Sequence, residues 1–216
     1  MRELIARWQR GWSVARGLPA AEDVGGGLRV RCLQPGRDVE YVAFDARNID
    51  GLADRVHREQ EITWLTVPTT DPEATAALLQ AKGLILLKRA EQLMTIDLRQ
   101  HPESKLTGPY SLETSVDRGA ITATVRHESG EMAAKGTMGL SGEDAVADRI
   151  ETAAAHRRRG LASVVMGELA RAAAGHGARH GILIASEDGQ RLYTALGWHT
   201  EAVVLIATTP GNDHPD

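Results

Sequence analysis

The chain has 216 residues, 42% of them hydrophobic and 25% charged, with a formal net charge of −4. That length allows one large domain or two small ones, and the acidic balance gives no support for nucleic-acid binding, which usually needs a basic excess. The single cysteine, Cys32, excludes an intrachain disulfide and a cysteine-built zinc site, and fits a reducing cytoplasm.

Ile5, Trp8 and Trp12 sit at helical spacing, which predicts an amphipathic helix from Glu3 to Ala15 rather than a transit peptide. Apolar runs such as Leu84–Leu87 are too short to span a bilayer, so no membrane is expected. Gly17, Pro19 and Gly25-Gly26-Gly27 mark a loop. Strands are predicted at Leu28–Leu33 and Glu40–Phe44 around a Pro35-Gly36 turn, then a helix from Asp50 to Arg58 and a strand at Ile62–Val67. Asp71 followed by Pro72 starts a further helix that Gly83 ends. Leu84–Leu87 and Leu93–Leu98 read as two more strands. Residues 1–100 thus form a first α/β half, and the Pro- and Gly-bearing stretch 101–109 reads as a linker to a second half, 110–216.

The second half opens with strands at Leu112–Val116, Ile121–Arg126, Met132–Leu140 and Ala145–Thr152, joined by short Gly-containing turns that suit antiparallel hairpins. A loop, Ala153–Arg159, leads into a helix from Leu161 to Ala174, whose apolar residues form one stripe. A strand follows at Gly181–Ala185, then a helix from Asp188 to Leu196 that Ser186 can cap, and a last strand at Val203–Ala207. The expected class is α+β: a mixed, mostly antiparallel sheet flanked by helices, with the first half packed against it. A weak repeat relates Trp64–Leu84 to Ile182–Trp198: each runs strand, helix, Gly, apolar strand.

The chemistry concentrates between Thr152 and Ser163. A strand ends, a basic loop with Arg157, Arg158 and Arg159 follows, and a helix begins after Gly160. The free amides and positive dipole end of a helix N-terminus bind phosphate. Gly160 and Ala162 keep the approach slim, and arginines add charge-assisted contacts. Arg157, Gly160 and Ala162 match in order the Gln/Arg-x-x-Gly-x-Gly/Ala pattern of the GNAT superfamily of acetyl-CoA-dependent N-acetyltransferases. Leu192-Tyr193-Thr194-Ala195-Leu196-Gly197-Trp198 resembles that family's Leu-Tyr-x-x-x-Gly-Phe ending. The likeness covers about residues 110–208; the first half resembles only a degenerate copy.

The resemblance implies acetyl-CoA as cosubstrate, bound by Arg157, Arg158, Arg159, Gly160, Leu161, Ala162 and Ser163, with Ser186 near the pantetheine. It implies oxyanion donors in the amides of Ile150 and Thr152, and Tyr193 as general acid toward the leaving thiolate. Asp148 is the choice for general base; Asp144 shares its face by simple alternation, and Glu151 takes the other. Departures from the family are Ser186 where Asn is usual, Gly189 where Ala is common, and no helix pair between Val116 and Ile121. The first half is expected to supply that missing acceptor wall, for example through the helix carrying Trp8 and Trp12. The acceptor is expected to be a small-molecule or protein amine. No metal is expected, since Gly175, Gly177 and Gly181 break any helix that would pair His176 with His180. A homodimer is common in the resembled family. Two other readings are a non-catalytic acyl-CoA-binding or regulatory module, and a toxin that acylates aminoacyl-tRNA.

Overall fold

The structure is a computed structural model and describes residues 1–212. Along the chain it forms α1 (Arg2–Arg16), β1 (Glu22–Asp23), β2 (Gly27–Gln34), β3 (Arg37–Ala43), α2 (Ile49–Arg58), β4 (Thr63–Thr69), α3 (Pro72–Ala81), β5 (Ile85–Asp97), β6 (Tyr110–Asp117), β7 (Ala120–His127), β8 (Met132–Ser141), β9 (Asp144–Thr152), α4 (Leu161–Gly175), β10 (His180–Ala185), α5 (Glu187–Ala195) and β11 (His199–Thr208). This is the expected mixed class, with mostly antiparallel pairing.

One expectation is corrected. Leu84–Leu87 and Leu93–Leu98 are not two strands; β5 runs unbroken for 13 residues through the polar stretch between them. Those polar residues carry no apolar period, yet ladder bonding beside β11 keeps the backbone extended, and the Thr200 hydroxyl donates to Gln92 Oε1 at 2.7 Å.

The chain divides into two compact units. The first holds Met1–Gln9, Leu18–Leu93 and the chain from Thr200. Its strands are ordered β1-β2-β3-β4-β11, followed by the first part of β5. Strands β3 and β4 are parallel, and β4 and β11 antiparallel. Ile49, Leu52 and Val56 of α2 and Leu79 of α3 are buried in its core with Leu65 and Leu205. Helix α3 starts as predicted, with the Asp71 carboxylate accepting from the Ala74 amide at 3.1 Å.

The second unit holds Arg10–Gly17 and Met94–His199. The end of β5 is followed by β10-β9-β8-β7-β6, with β9 parallel to β10 and β6 to β9 antiparallel hairpins. Helix α4 covers one face, burying Leu161, Val164, Val165, Leu169 and Ala173. It comes so close over β8 that a Cβ on Gly136 would stand 2.8 Å from Val165 Cγ1. The last turns of α1 cover the other face: a Cβ on Gly139 would stand 2.5 Å from the Ala15 amide nitrogen and closer still to the Gly11 carbonyl.

Both halves of the sequence run strand, helix, parallel strand, helix, strand: β3-α2-β4-α3-β5 and β9-α4-β10-α5-β11. Helices α3 and α5 end in the same way. Gly83 and Gly197 take φ of +75° and +86°, and the next amide reaches back to the helix: Leu84 to the Leu79 carbonyl at 3.1 Å and Trp198 to the Tyr193 carbonyl at 3.0 Å.

Candidate active site

The site lies in the second unit, where β9 leaves β10. Their parallel register runs from Asp144↔His180 to Val146↔Ile182 and stops there, although both strands continue. Past that point one edge of β9 stays with β8, and the other faces the gap. The Ala153 amide donates to the Ala133 carbonyl of β8 at 2.9 Å. Alternation along an extended chain therefore turns the Thr152 amide, and that of Ile150 before it, toward the gap. The Thr152 carbonyl points the same way and accepts from Arg157 Nε at 3.4 Å.

A β-bulge interrupts β9. Lys135 opposes Glu151 and Thr137 opposes Asp148, so Gly136 faces two residues, and Arg149 adopts φ +52°. The extra residue reverses the parity of the rest of the strand, which corrects the simple alternation expected there. Asp148 meets Arg16 of α1 on one face, and Ile150 meets Gly136 under α4 on the other. Glu151 pairs with Lys135 at 3.3 Å, which returns it to the face of Asp148.

Asp148 is gripped from α1. Arg16 donates through Nε to Oδ2 at 2.6 Å and through Nη2 to Oδ1 at 2.9 Å, with side chains 15% and 14% exposed. One guanidinium thus engages both oxygens of the carboxylate. Trp12 lies one turn earlier, its ring 5.3 Å from the Arg16 guanidinium. Within this unit the end of α1 thus reaches β9 through Arg16.

Tyr193, on α5, is buried, and its ring packs edge-on to Trp198 at 6.1 Å. Gly189, one turn earlier, leaves room for that ring; a Cβ there would stand 2.9 Å from Tyr193 Cε2. Burial first, and then the negative charge of Asp148, push the phenol up to about 12. The two expected catalytic side chains therefore sense one another. Ser186 caps α5, its hydroxyl accepting from the Gly189 amide at 3.3 Å.

Helix α4 begins differently from α3 and α5. Its N-cap is Gly160 at φ +73°, with no side chain to occupy the first amides. Those of Leu161, Ala162 and Ser163 precede the first intrahelical bond, Val164 to the Gly160 carbonyl. Leu161 offers only its backbone, since its side chain is in the core. Arg158 is exposed and takes φ +59°. The other two arginines have protein partners: Arg157 on the Thr152 carbonyl and Arg159 on the Tyr110 hydroxyl at 2.9 Å. The loop before them is a short 3-10 turn, Ala154–His156, with His156 buried.

The corresponding place in the first unit differs in the turn that precedes its helix. Strands β3 and β4 stay in register to Val42↔Thr66, and β3 ends at Ala43. The following turn carries Asp45, which accepts from the Arg47 amide at 2.9 Å; the Arg47 guanidinium holds its carboxyl below the usual range. An anion there would repel phosphate.

Sequence reasoning missed Arg16 and Tyr110. The partners of Arg16 and Tyr110 are 132 and 46 residues away along the chain, and no local pattern marks such pairs.

No protein-family model and no curated protein matches this sequence. Solved structures do match it. A GCN5-related N-acetyltransferase from Kribbella flavida superposes with a TM-score of 0.70 at 15% identity, covering 97% of this chain and 95% of that one. A tandem GNAT protein from the clavulanic acid biosynthesis pathway gives 0.59 at 16% identity, with 99% and 96% covered. A GCN5-related N-acetyltransferase from Sphaerobacter thermophilus gives 0.60 at 14% identity, with 88% and 79% covered. At these identities the likeness is one of fold: the chain has the GNAT fold that the Arg157–Ala162 and Leu192–Trp198 motifs implied.

Proposed function

We propose that this protein is an acyl-CoA-dependent N-acyltransferase, with acetyl-CoA as donor and a primary amine of a small molecule or protein as acceptor. The observation that carries the reading is the opening of β9 from β10 beside an α4 N-terminus that no side chain caps. These residues fit the cosubstrate. The amides of Leu161, Ala162 and Ser163, with Arg158, would hold its diphosphate. The thioester supplies an activated carbonyl, and the amides of Ile150 and Thr152 are the donors for its oxygen.

Tyr193 keeps its proton at neutral pH, as any phenol does, and burial and Asp148 push it further up to about 12. Donation to a thiolate leaving into the same dry cleft is not blocked by this, since burial raises the proton affinity of that thiolate too. The acceptor proton is then left to water rather than to Asp148, both of whose oxygens accept from Arg16. The same grip favours the second reading, a non-catalytic acyl-CoA-binding module, more than anything else in the site. The first half, on this proposal, is a degenerate copy that no longer binds cosubstrate.

Thiol release from acetyl-CoA across a panel of amines separates the readings. Amine-dependent release supports the enzyme; coenzyme A binding without release supports the module; neither would end both.

A further inference from the structure

The loop before α4 carries a side-chain cluster that the proposed chemistry does not use. Arg159 Nη1 donates to the Tyr110 hydroxyl at 2.9 Å, and Nη2 reaches the Ala155 carbonyl at 3.4 Å. On its other side the same hydroxyl lies 3.1 Å from His156 Nδ1. The His127 ring packs against both, 5.3 Å from Tyr110 and 5.4 Å from His156. The buried Nε2 of His156 lies 3.4 Å from the Glu131 carboxylate, without hydrogen-bond geometry. The cluster thus joins β6, the end of β7, the turn before β8 and the phosphate loop itself.

Hydrogen-bond accounting orders it. A guanidinium can only donate, so the Tyr110 oxygen accepts from Arg159 and its own proton goes to His156 Nδ1. Neutral His156 then carries its proton on Nε2, facing Glu131. We infer that Tyr110 and His156 are positioning residues for Arg159: they hold its guanidinium on the Tyr110 hydroxyl while His156 is neutral and release it when His156 gains a proton. Protonated His156 must donate from Nδ1 to the Tyr110 oxygen. That oxygen would then face two cations, and its own proton would lose its acceptor. Glu131 is the carboxylate beside the imidazole; His127, Arg157 and Arg158 add no negative charge to hold both cations in place. Arg159 directly precedes Gly160, so its freed guanidinium can serve an anion at the first turn of α4.

This inference rests on the acyl-CoA reading and adds a regulation of its cofactor loop. The test is calorimetric titration with dephospho-coenzyme A, which keeps the diphosphate but lacks the phosphomonoester that would itself titrate. It is run at pH 8 and pH 6, the range over which imidazoles change charge. Wild type is expected to bind roughly threefold tighter or more at pH 6, the scale of one hydrogen bond gained. Tyr110→Phe is expected to bind tightly at both pH values, because only the long contact with the Ala155 carbonyl still holds Arg159. His156→Gln is expected to stay at the weaker level at both. His127→Phe keeps the wild-type slope. A purely structural role would weaken binding in both positioning variants. In parallel, 15N NMR at pH 8 is expected to show His156 protonated on Nε2. Binding with the same slope in wild type, Tyr110→Phe and His156→Gln would overturn the inference alone, as would a proton on Nδ1. No binding by wild type at either pH would remove the acyl-CoA reading and the inference together.

Discussion

Tyr193 shows how burial and one neighbouring charge prepare a side chain. Both effects favour the neutral phenol, so its value rises from the ordinary 10 to about 12. A group that holds its proton more tightly when folded stabilises the fold fully below its unfolded value and loses that contribution as pH rises through the folded one. Stability of the wild type should therefore fall between pH 10 and 12, with up to about 2–3 kcal/mol of the fall due to Tyr193. The urea midpoint of wild type should fall relative to that of Tyr193→Phe across that window; a constant gap would remove the argument. In turnover, Tyr193→Phe should lower kcat roughly 100-fold, as loss of a general acid does, while KM for acetyl-CoA changes little. Asp148→Asn tests the link between the two residues. Spectroscopic titration should find the Tyr193 phenol below its wild-type value, and unfolding should come about 1–3 kcal/mol easier because Arg16 loses an anionic partner. An unmoved Tyr193 titration would mean that the two side chains do not sense each other. At this scale the sequence was informative where a residue sits in a local pattern. Tyr193 stands out from Leu192-Tyr193-x-x-x-Gly197, whereas Arg16 has no signature, since only the fold brings it to Asp148.

Helices and strands were the most legible level, because each is written in a short period and closed by local chemistry. Helix α3 needed only Asp71, Pro72 and Gly83, and α5 only Ser186 and Gly197. Two features escaped. Strand β5 was split in reading because its polar centre breaks the apolar period while ladder bonds keep it extended. The β9 bulge was invisible because Arg149 at φ +52° does not look like a left-handed residue, so Glu151 was assigned to the wrong face. The packing of α1 on β8 also depends on elements distant in sequence. Gly11 and Gly139 bring backbone against backbone, and any Cβ on Gly139 collides with α1 main chain rather than with a flexible side chain. Gly139→Ala should lower stability by about 1–3 kcal/mol or more. A melting temperature equal to that of wild type would mean that α1 is not seated there.

For the whole molecule, the repeat was visible in the sequence but its consequence was not. The last strand of each half reaches into the unit formed mainly by the other: the end of β5, from Met94, neighbours β10, and β11 pairs with β4. No linear reading of two successive halves reveals such an exchange, because strand partners distant in sequence leave no local pattern. It has a practical result. A fragment of residues 105–216 lacks β5 and the α1 turns carrying Trp12 and Arg16, so it should be insoluble or inactive when expressed alone. A soluble, active fragment would contradict the role given to those elements.

The central claim is that the α4 N-terminus holds the cosubstrate diphosphate, and Ala162→Glu tests it most directly. A carboxylate in the first helical turn favours the helix dipole by about 0.3–1 kcal/mol, so the fold should survive while an anion is repelled. Calorimetric titration with coenzyme A should show binding to wild type and none to a variant whose melting curve is unchanged. Equal affinity in the two proteins would contradict it.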